Sequence, residues 1–337
     1  MTLEAQNNRM PADNQPLVSI VTPVYNNAEH LAECIESVLA QTYSNWEYTI
    51  INNRSTDGSG EVAESYARKY SRIKVVHNEE FLRAIANHNR ALREVSLSSK
   101  YVKMVFADDL VLPTCLEEMV SLAEKFPSIG IVGAYGIEGD RVRWTGLRFP
   151  VQFVLGRDIC RMSFLQPMYV FGTASSLLFR ADLVRQYDPF YDEGNIHADT
   201  ETCFSLLKVC DFGFVHQVLT YTRERRESLT TYSKEINTYL AGWLTALIRH
   251  GRGHLTEGEY SFCINRCLTD YYAFLGDALI RRRNRKFWEF HRNKLESLGV
   301  GFSRCRITLA AVTKVGRLLL NPERTLERLI KGPSPTA

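Results

Sequence analysis

The chain has 337 residues, 45% of them hydrophobic and 23% charged, which excludes a disordered, collagen-like or disulfide-scaffolded chain. No apolar stretch approaches the roughly 20 residues that a membrane-spanning helix needs, and the polar N-terminus lacks the apolar core of a signal peptide. The net charge of +3 is unevenly spread, because 17 lysines and arginines stand against 8 acidic residues from Arg249 onward.

The order of apolar runs predicts alternating strands and helices. Residues 1–16 are polar and without periodicity, which predicts a flexible tail. Apolar, β-branched runs then predict strands at Leu17–Val21, Trp46–Ile51, Ile73–Val76, Tyr101–Phe106, Ile129–Ala134 and Gly172–Phe179. Helical periodicity predicts helices at Leu31–Leu39, Glu61–Tyr70, Phe81–Val95, from Pro113 to about Phe126 and at Thr200–Val209, with Asn27 as the cap of the first.

This alternation predicts an α/β fold, with a mostly parallel, Rossmann-like sheet flanked by helices. Ligands of such sheets bind at the carboxyl ends of the strands, so the residues directly after each strand are candidates for a site. From about Ser233 the strand patterns stop and helical patterns dominate. We therefore expect an α/β domain over residues 17–232 and a basic helical region over residues 233–337.

Two adjacent carboxylates, Asp108 and Asp109, directly follow the strand that ends at Phe106. Carboxylates side by side repel each other, and they are tolerated where a divalent cation or a helix N-terminus compensates. The pair indicates either a metal site or, as the plainer alternative, a helix cap or a solvated loop.

Three other polar segments have a functional and a structural interpretation. The segment from Asn52 to Ser59 is rich in acceptors and turn formers, and it is either a ligand loop or an Asx turn that caps a helix. Asp199 enters a predicted helix, where an acidic residue is usually a partner of the helix dipole. The charged run from Tyr221 to Ser228 is either a binding segment or a solvated loop.

Taken together and in this order, the segments resemble family 2 glycosyltransferases of the A-type (GT-A) fold, from Val18 to about Thr230. The matching parts are Val18–Asn26, Leu31–Tyr43, Ser55–Ser59, Asn89, Ala107–Asp109, Phe179–Arg180, Phe190–Glu193 and Asp199. The resemblance implies an enzyme of bacterial cell-surface polysaccharide synthesis that uses a nucleotide-sugar donor, with UDP as the expected nucleotide.

The resemblance also implies which residues bind the donor. Pro23 and Tyr25 line the nucleotide pocket, Asn52 contacts the base, and Asp57 supports the loop that carries it. Arg223 or Arg225 holds the diphosphate, for which a bidentate guanidinium is well suited.

For the reaction itself, the resemblance assigns three carboxylates. Asp108 and Asp109 hold the ribose and a divalent metal, Mn²⁺ or Mg²⁺, that bridges the diphosphate, and Asp199 deprotonates the acceptor hydroxyl. One base without a protein nucleophile implies a single displacement, and therefore inversion at the anomeric carbon.

The sequence departs from the family pattern at several positions. Asn52 and Asn53 stand where aspartates are usual, Arg54 replaces a glycine, Ala198 a glutamate and Arg225 a histidine. Because the QxxRW motif of processive relatives is absent, we expect transfer of one or a few sugars to a hydroxyl of a glycan or lipid-linked acceptor.

The basic C-terminal region carries two candidate amphipathic helices, one with Phe287 and Trp288 after an arginine run and one at Arg304–Leu320, before a short helix from Pro322. We expect docking on an anionic membrane, with Phe287, Trp288, Leu318, Leu319 and Leu320 entering the interface. The alternative is packing on the α/β domain or on a second subunit as a homo-oligomer. No nucleic-acid-binding motif accompanies the charge, so we expect no nucleic acid partner.

Two other functions stay open. A nucleotidyltransferase would carry a glycine-rich basic loop after the first strand, which this chain lacks. A catalytically inactive, nucleotide-sugar-binding relative is suggested by Asn52, Asn53 and Ala198, although Asp108, Asp109 and Asp199 are present.

The spacing of the cysteines indicates the cellular compartment of the protein. They are scattered and form no CxxC pair, and we expect Cys263 and Cys267 to be small buried hydrophobes. Reduced thiols are typical of a cytoplasmic protein. We therefore expect the protein in the cytoplasm, either free or peripheral on the inner face of the plasma membrane.

Overall fold

A computed structural model describes residues 15–166, 168–223 and 236–320. The chain divides into two compact units between Arg226 and Glu227. The first unit is an α/β structure, and the described part of the second is helical. Within these described ranges, no helix is both long enough and apolar enough to cross a membrane.

The strands all belong to the first unit. They are β1 (Val18–Val24), β2 (Trp46–Asn52), β3 (Ile73–His77), β4 (Tyr101–Met104), β5 (Leu110–Val111), β6 (Ile129–Glu138), β7 (Arg141–Arg143), β8 (Phe153–Val154), β9 (Leu178–Arg180) and β10 (Asp211–Thr222). Over the described residues they form one sheet in the order β3-β2-β1-β4-β9-β6-β10-β5, with β7 beside β6 and β8 beside β10.

The helices of the first unit are α1 (Ala28–Leu39), α2 (Ser59–Ala67), α3 (Ala84–Leu92), α4 (Cys115–Lys125), α5 (Gly156–Leu165), α6 (Ala181–Arg185) and α7 (Ala198–Leu206). Those of the second unit are α8 (Tyr239–His250), α9 (Glu257–Ile280), α10 (Arg285–Ser297) and α11 (Arg304–Leu320). The expected α/β fold with C-terminal helices is confirmed.

One half of the sheet is parallel and was predicted closely. β1 lies between β2 and β4, and β3 lies outside β2, all in parallel register. The register pairs Val24 with Asn52 and Asn52 with His77, so the carboxyl ends of these strands meet at one edge. The helix α1 covers this half with Leu31, Cys34, Ile35 and Val38, the apolar stripe seen in the sequence.

The other half is mixed. β9 is antiparallel to both β4 and β6, while β10 runs parallel to β6 and antiparallel to β5 and β8. The predicted strand Gly172–Phe179 was wrong over most of its length, because Ala174–Ser176 is a 3₁₀ turn and only Leu178–Arg180 pairs. The 12-residue strand β10 was not predicted.

Two predictions near the N-terminus need correction. Asn27 precedes α1, but its side chain makes no capping hydrogen bond and its Oδ1 is buried without a partner. Residues 1–14 lie outside the described residues, whereas Gln15 and Pro16 are attached: the Gln15 Oε1 accepts from the Ser44 N–H and the Pro16 carbonyl accepts from the Tyr43 hydroxyl.

The second unit has an aromatic core around His291, which is fully buried. The Tyr271 hydroxyl lies 2.7 Å from its Nδ1, and its Nε2 lies 3.0 Å from the Ile236 carbonyl oxygen. Phe287 packs against this imidazole and is only 2% exposed, so the expectation that Phe287 enters a membrane interface was wrong. The prediction that Cys263 and Cys267 are small buried hydrophobes was confirmed, since both cysteines are buried.

The membrane prediction for the end of the chain is tested only in part. Helix α11 has the expected bounds, while the segment from Pro322 and the side chains of Leu318 and Leu319 lie outside what the structure describes.

Candidate functional site

A cavity of about 260 Å³ opens at the edge where β1, β2 and β4 end. Its walls come from the residues that follow β1 and β2, the N-terminal part of α3 and the turn after β4. It is lined by Pro23, Tyr25, Asn27, Asn53, Phe81, Leu82, Ala84, Asn87, His88, Phe106, Ala107 and Asp108. This is the strand-end position at which ligands of parallel sheets bind.

An aromatic pair, Tyr25 and Phe81, stands at this cavity. The two rings make an edge-to-face contact with centroids 4.8 Å apart, and they are 48% and 55% exposed. Two exposed aromatic faces beside a cavity suit a flat ligand such as a nucleobase. Tyr25 was a predicted site residue, whereas Phe81 was missed because the sequence predicted a helix that begins at Phe81, while the helix α3 begins at Ala84.

Asn53 lines the cavity, and its side-chain amide makes three hydrogen bonds. Its Nδ2 donates to the Leu82 carbonyl at 2.8 Å. Its Oδ1 accepts from the Leu82 N–H and from the Asn78 amide, both at 2.9 Å. Asn78 also donates to Asn87, so three amides link β2, β3 and α3.

Asn52, the expected base contact, does not line this cavity. Its Oδ1 accepts from the Ser55 N–H, and its Nδ2 lies 3.1 Å from Nδ1 of His77. The reason is the alternation of a strand: Asn52 and Asn53 point to opposite faces, and Asn52 is the one packed against Gly60 of α2.

Asp57 bridges the N-termini of two helices. Its Oδ2 accepts from the N–H of Ala28, the first residue of α1, and its Oδ1 accepts from both the N–H and the hydroxyl of Ser59, the first residue of α2. Burial raises the pKa of Asp57, but these hydrogen bonds outweigh it and hold the pKa below its ordinary value. Asp57 is therefore the cap that the sequence had assigned to Asn27.

Two non-glycine residues have positive φ here, one in the loop around Asp57 and one in the turn before α1 that contacts this loop. Arg54 has a φ of 60°, in the left-handed region that glycine adopts most easily, which explains the glycine that is usual at this position in the resembled family. The Arg54 guanidinium donates to the Glu79 carbonyl at 2.7 Å. Asn26, with a φ of 47°, accepts from the Thr56 N–H through its Oδ1.

The two adjacent carboxylates occupy different environments. Asp108 lines the cavity, while Asp109 is 1% exposed and its Oδ2 is buried without a hydrogen-bond partner. Burial, reinforced by the negative charge of Asp108, raises the pKa of Asp109 to about 8. An anionic carboxylate here would be costly unless a cation lies beside it.

A buried lysine, Lys103, lies in β4 below this pair. It is 0% exposed, and its Nζ donates to the Leu177 carbonyl at 3.2 Å. Burial lowers its pKa, while the charge of Asp109 acts in the opposite direction. The Ser175 hydroxyl accepts from the Phe106 N–H and also helps to lower the pKa of Asp109. Lys103 was not predicted as a site residue, because in the sequence it is a single cation inside an apolar strand.

Arg223, at the end of β10, reaches back to the carboxylate pair. Its Nε donates to the Asp108 carbonyl at 3.0 Å, and its guanidinium forms an ion pair with Glu33 of α1. The long strand β10 is what brings it there. Glu33 was not predicted, and Arg225 lies outside the described residues.

His88 leads from the cavity toward Asp199. Its ring packs on Phe106, with centroids 4.8 Å apart, and lies edge-on to Tyr191 at 6.5 Å. Burial lowers the pKa of His88 to about 4, so the imidazole is neutral at physiological pH. Asn89 fixes the same segment, because its amide accepts from the Tyr191 N–H and donates to the Tyr191 carbonyl.

Asp199 is the second residue of α7. Its Oδ1 accepts from the Thr200 N–H at 2.7 Å, and its charge acts on the hydroxyl of Tyr191. Burial raises the pKa of Asp199 to about 6, against the opposing hydrogen bonds from Thr200. A carboxylate with this pKa is ionised at neutral pH and is a stronger base than an exposed aspartate.

The side chains at the cavity could supply some, but not all, of the ligands that a divalent ion needs. Across the described ranges, no three His, Cys, Asp or Glu side chains converge to hold an ion. Asp108 on the cavity wall and the unpartnered Oδ2 of Asp109 offer two carboxylates. This number suits Mg²⁺ or Mn²⁺ in a site whose remaining ligands are phosphate oxygens and water.

Comparison with solved structures identifies the fold. The protein resembles S. aureus TarS 1–349 in complex with UDP-GlcNAc, with a TM-score of 0.63 and 15% identity over 88% of this chain and 87% of that one. It also resembles the mannosyltransferase PcManGT from Pyrobaculum calidifontis in complex with GDP-Man and Mn²⁺, with a TM-score of 0.54 and 16% identity over 95% and 85%. The first unit thus has the GT-A fold.

Sequence comparison identifies the family. The glycosyltransferase GlyG of Streptococcus pneumoniae serotype 4 is 30% identical over 119 residues, which are 35% of this chain and 39% of GlyG. The matched part thus spans well under two thirds of that relative. The family model "Glycosyl transferase family 2" matches residues 19–187, half of the chain and the whole of the cavity wall. The chain therefore belongs to glycosyl transferase family 2.

Proposed function

We propose that the protein is an inverting, metal-dependent, non-processive glycosyltransferase that moves a sugar from a nucleotide-sugar, with UDP as the first candidate, to an acceptor hydroxyl. One observation carries the proposal: a strand-end cavity holds the carboxylate of Asp108 beside the buried one of Asp109, whose Oδ2 has no hydrogen-bond partner, and His88 and Tyr191 connect it to the base-like Asp199.

The donor fits the cavity by its chemistry. Tyr25 and Phe81 offer aromatic faces to the base, and the buried Oδ1 of Asn27 lacks the hydrogen-bond donor that a nucleoside would supply. Since the Asn53 Oδ1 already accepts two hydrogen bonds and Asn52 is packed behind the cavity, we assign base recognition to Asn27, Asn87 and His88. TarS bound to UDP-GlcNAc and PcManGT bound to GDP-Man support a nucleotide-sugar.

Asp108 and Asp109 would hold the divalent ion, for which the Mn²⁺ in PcManGT is support. When bound, such an ion neutralises the charge that develops on the departing diphosphate. Arg223 adds a guanidinium at the same place, fixed to the Asp108 carbonyl by one nitrogen and paired with Glu33 by another. The same role remains our proposal for Arg225.

Asp199 would act on the acceptor. As the acceptor oxygen bonds to the anomeric carbon, the bond from that carbon to the diphosphate oxygen breaks, and the acceptor proton passes to a carboxylate oxygen of Asp199. The nucleoside diphosphate takes the bonding electron pair. Displacement from the opposite face inverts the anomeric carbon, and Thr200 holds the carboxylate in place through its N–H.

The acceptor and the location are proposed on the family resemblance. We take the acceptor to be a hydroxyl of a glycan or of a lipid-linked sugar in cell-envelope polysaccharide synthesis. The cysteines are all free, which supports a reducing, cytoplasmic compartment. A lipid-linked acceptor would place the enzyme at the inner face of the plasma membrane.

The test is donor turnover with a panel of nucleotide-sugars, with Mn²⁺ or with a chelator. Wild-type enzyme should bind UDP more tightly with Mn²⁺ and release the nucleoside diphosphate, and NMR should show product of inverted configuration. Asp109→Asn should lose the metal-dependent gain in affinity, whereas Asp140→Asn, at a carboxylate that is 94% exposed, should keep it.

Three results would contradict the proposal. Absence of turnover with every donor, despite nucleotide binding, would favour a binding-only relative. Release of pyrophosphate from a nucleoside triphosphate would favour a nucleotidyltransferase. Metal-dependent affinity that survives in Asp109→Asn would remove the metal role of the pair.

A further inference from the structure

Helix α11 of the second unit presents an apolar stripe to solvent. Cys305, Leu309, Val312, Gly316 and Leu320 follow one another at spacings of three or four residues, so they share one side of the helix. Leu309 is 68%, Val312 62% and Leu320 81% exposed, and Cys305 is the one exposed thiol among the eight cysteines, all of them described. We call these five residues the exposed stripe.

The opposite side of α11 is fixed, so the exposed stripe has a defined orientation. Ile307 and Ala311 are buried, and Gly276 of α9 lets the two backbones approach, since a Cβ there would lie 2.8 Å from that of Ala310. Lys314 forms an ion pair with Asp277. The stripe is therefore not a misplaced core face, because α11 already buries a separate one.

The charges that α11 itself carries all have one sign. The charged residues of α11 are Arg304, Arg306, Lys314 and Arg317, with no aspartate or glutamate. Asp277, which pairs with Lys314, also pairs with Arg281, so the exposed arginine turn that begins at Arg281 lies beside the C-terminal half of α11. An apolar stripe flanked by cations is the pattern of a helix that lies in the plane of an anionic bilayer surface.

We propose that α11 docks the protein on an anionic lipid surface, with the exposed stripe entering the interface and the flanking arginines contacting headgroups. A second copy of the chain is the other candidate occupant, but two α11 helices facing each other would bring the three arginines of each helix together, six cations without a carboxylate on either helix. This docking is independent of sugar transfer, and it would hold the enzyme beside a lipid-linked acceptor.

The test uses the full chain and sedimentation with vesicles of phosphatidylglycerol and phosphatidylcholine in equal parts, or of phosphatidylcholine alone. We expect binding to the anionic vesicles only, weakened by salt and by about fivefold for each of Arg304→Gln and Arg317→Gln. Leu309→Asp should lower the partition coefficient at least tenfold.

Two controls keep the result specific. Phe262→Asp changes another residue that is 58% exposed, about 21 Å along α9 from Gly276, and should bind as the wild type does. A solvent-sensitive dye on Cys305 should shift to the blue with anionic vesicles. Absence of sedimentation at low salt, or an unchanged dye spectrum and unchanged binding in Leu309→Asp, would overturn the proposal. So would a dimer, formed without lipid, that Leu309→Asp dissociates.

Discussion

The two halves of the sheet treat their polar side chains in opposite ways. At the ends of the parallel strands β1–β3, Asn53 makes three hydrogen bonds and Asp57 also accepts three, which hold the Asp57 pKa below its ordinary value. Asp109, between the last parallel strand β4 and the strand β5 of the mixed half, is buried, and Asp199 in α7 is partly buried. Both have few hydrogen-bond partners, and both pKa values are raised.

This difference in hydrogen bonding distinguishes side chains that hold the loops rigid from carboxylates that can bind a cation or take up a proton. A saturated network costs little and fixes the loops that form the cavity wall. A buried carboxylate with few partners costs stability, and proteins retain such groups where a ligand or a reaction uses them. In the function proposed above, the parallel half therefore shapes the cavity wall, and carboxylates beside and within the mixed half act on the bound donor and acceptor.

The largest effect on activity should come from a change of Asp199. Asp199→Asn keeps the shape of the side chain and its acceptor for the Thr200 N–H but removes the base, so the transfer rate should fall by about 10²–10⁴-fold. Nucleotide affinity with Mn²⁺, measured by calorimetry, should stay as in the wild type. Wild-type kcat should decline as the pH falls through about 6, where Asp199 takes up a proton. Near-normal turnover in the variant would move the base to another residue.

In the parallel half, replacing Asn52 or Asn53 with the aspartate that is usual in the family should change stability by different amounts at the two positions. Asn53→Asp places a carboxylate 2.8 Å from the Leu82 carbonyl, which then loses its donor, and should lower the free energy of unfolding by about 2–3 kcal/mol. Asn52→Asp is the matched control. Its carboxylate would face Nδ1 of His77, which is a hydrogen-bond donor in one of the two imidazole tautomers, so the change should stay within about 1 kcal/mol.

Urea unfolding of both variants measures this difference. Equal destabilisation of Asn52→Asp and Asn53→Asp would mean that the network is not selective for amides at position 53. If Asn53→Asp were as stable as the wild type, Leu82 and its loop would have to shift easily. The cavity wall would then be less rigid than its hydrogen bonds suggest.

The same comparison explains what the sequence could predict. The parallel half follows from local periodicity, because each strand is followed by the helix that covers it, and its carboxyl-end residues are adjacent in sequence to the strands. The mixed half depends on pairing between distant strands. Leu178–Arg180 is too short for a pattern, and the pairing of β10 with β6 spans irregular register shifts.

At the site, Pro23, Tyr25 and Asp108 line the cavity as expected, but the orientations of other side chains could not be read from the sequence. Asp108 and Asp109 could be named as a pair, but not that one lines the cavity while the other is buried. The family resemblance assigned the base contact to Asn52, whereas the alternation of the strand turns Asn53 toward the cavity. Glu33 and Ser175 carried no signal, since long-range contacts with Arg223 and Phe106 bring them to the site.

The smallest effect we expect concerns stability, and its sign is opposite to that of the activity loss. The folded-state pKa of Asp199, about 6, lies above the ordinary 3.8, so the folded protein holds the proton more tightly. That contribution to stability is complete below about pH 3.8 and is lost as the pH rises through about 6.

An amide at position 199 does not titrate and would escape this loss. Asp199→Asn should therefore be more stable than the wild type above pH 6, by about 1–2 kcal/mol once partial exposure of the side chain is allowed for, and equal to it near pH 4. Thermal unfolding at pH 4 and at pH 7.5 measures both limits. Glu201→Gln, two residues along α7, is the control, because the Asn195 amide already binds that carboxylate and its neutralisation should bring no gain at pH 7.5. A variant Asp199→Asn less stable than the wild type at pH 7.5 would mean that the carboxylate of Asp199 holds the fold together, and that the mixed half of the sheet is as saturated as the parallel half.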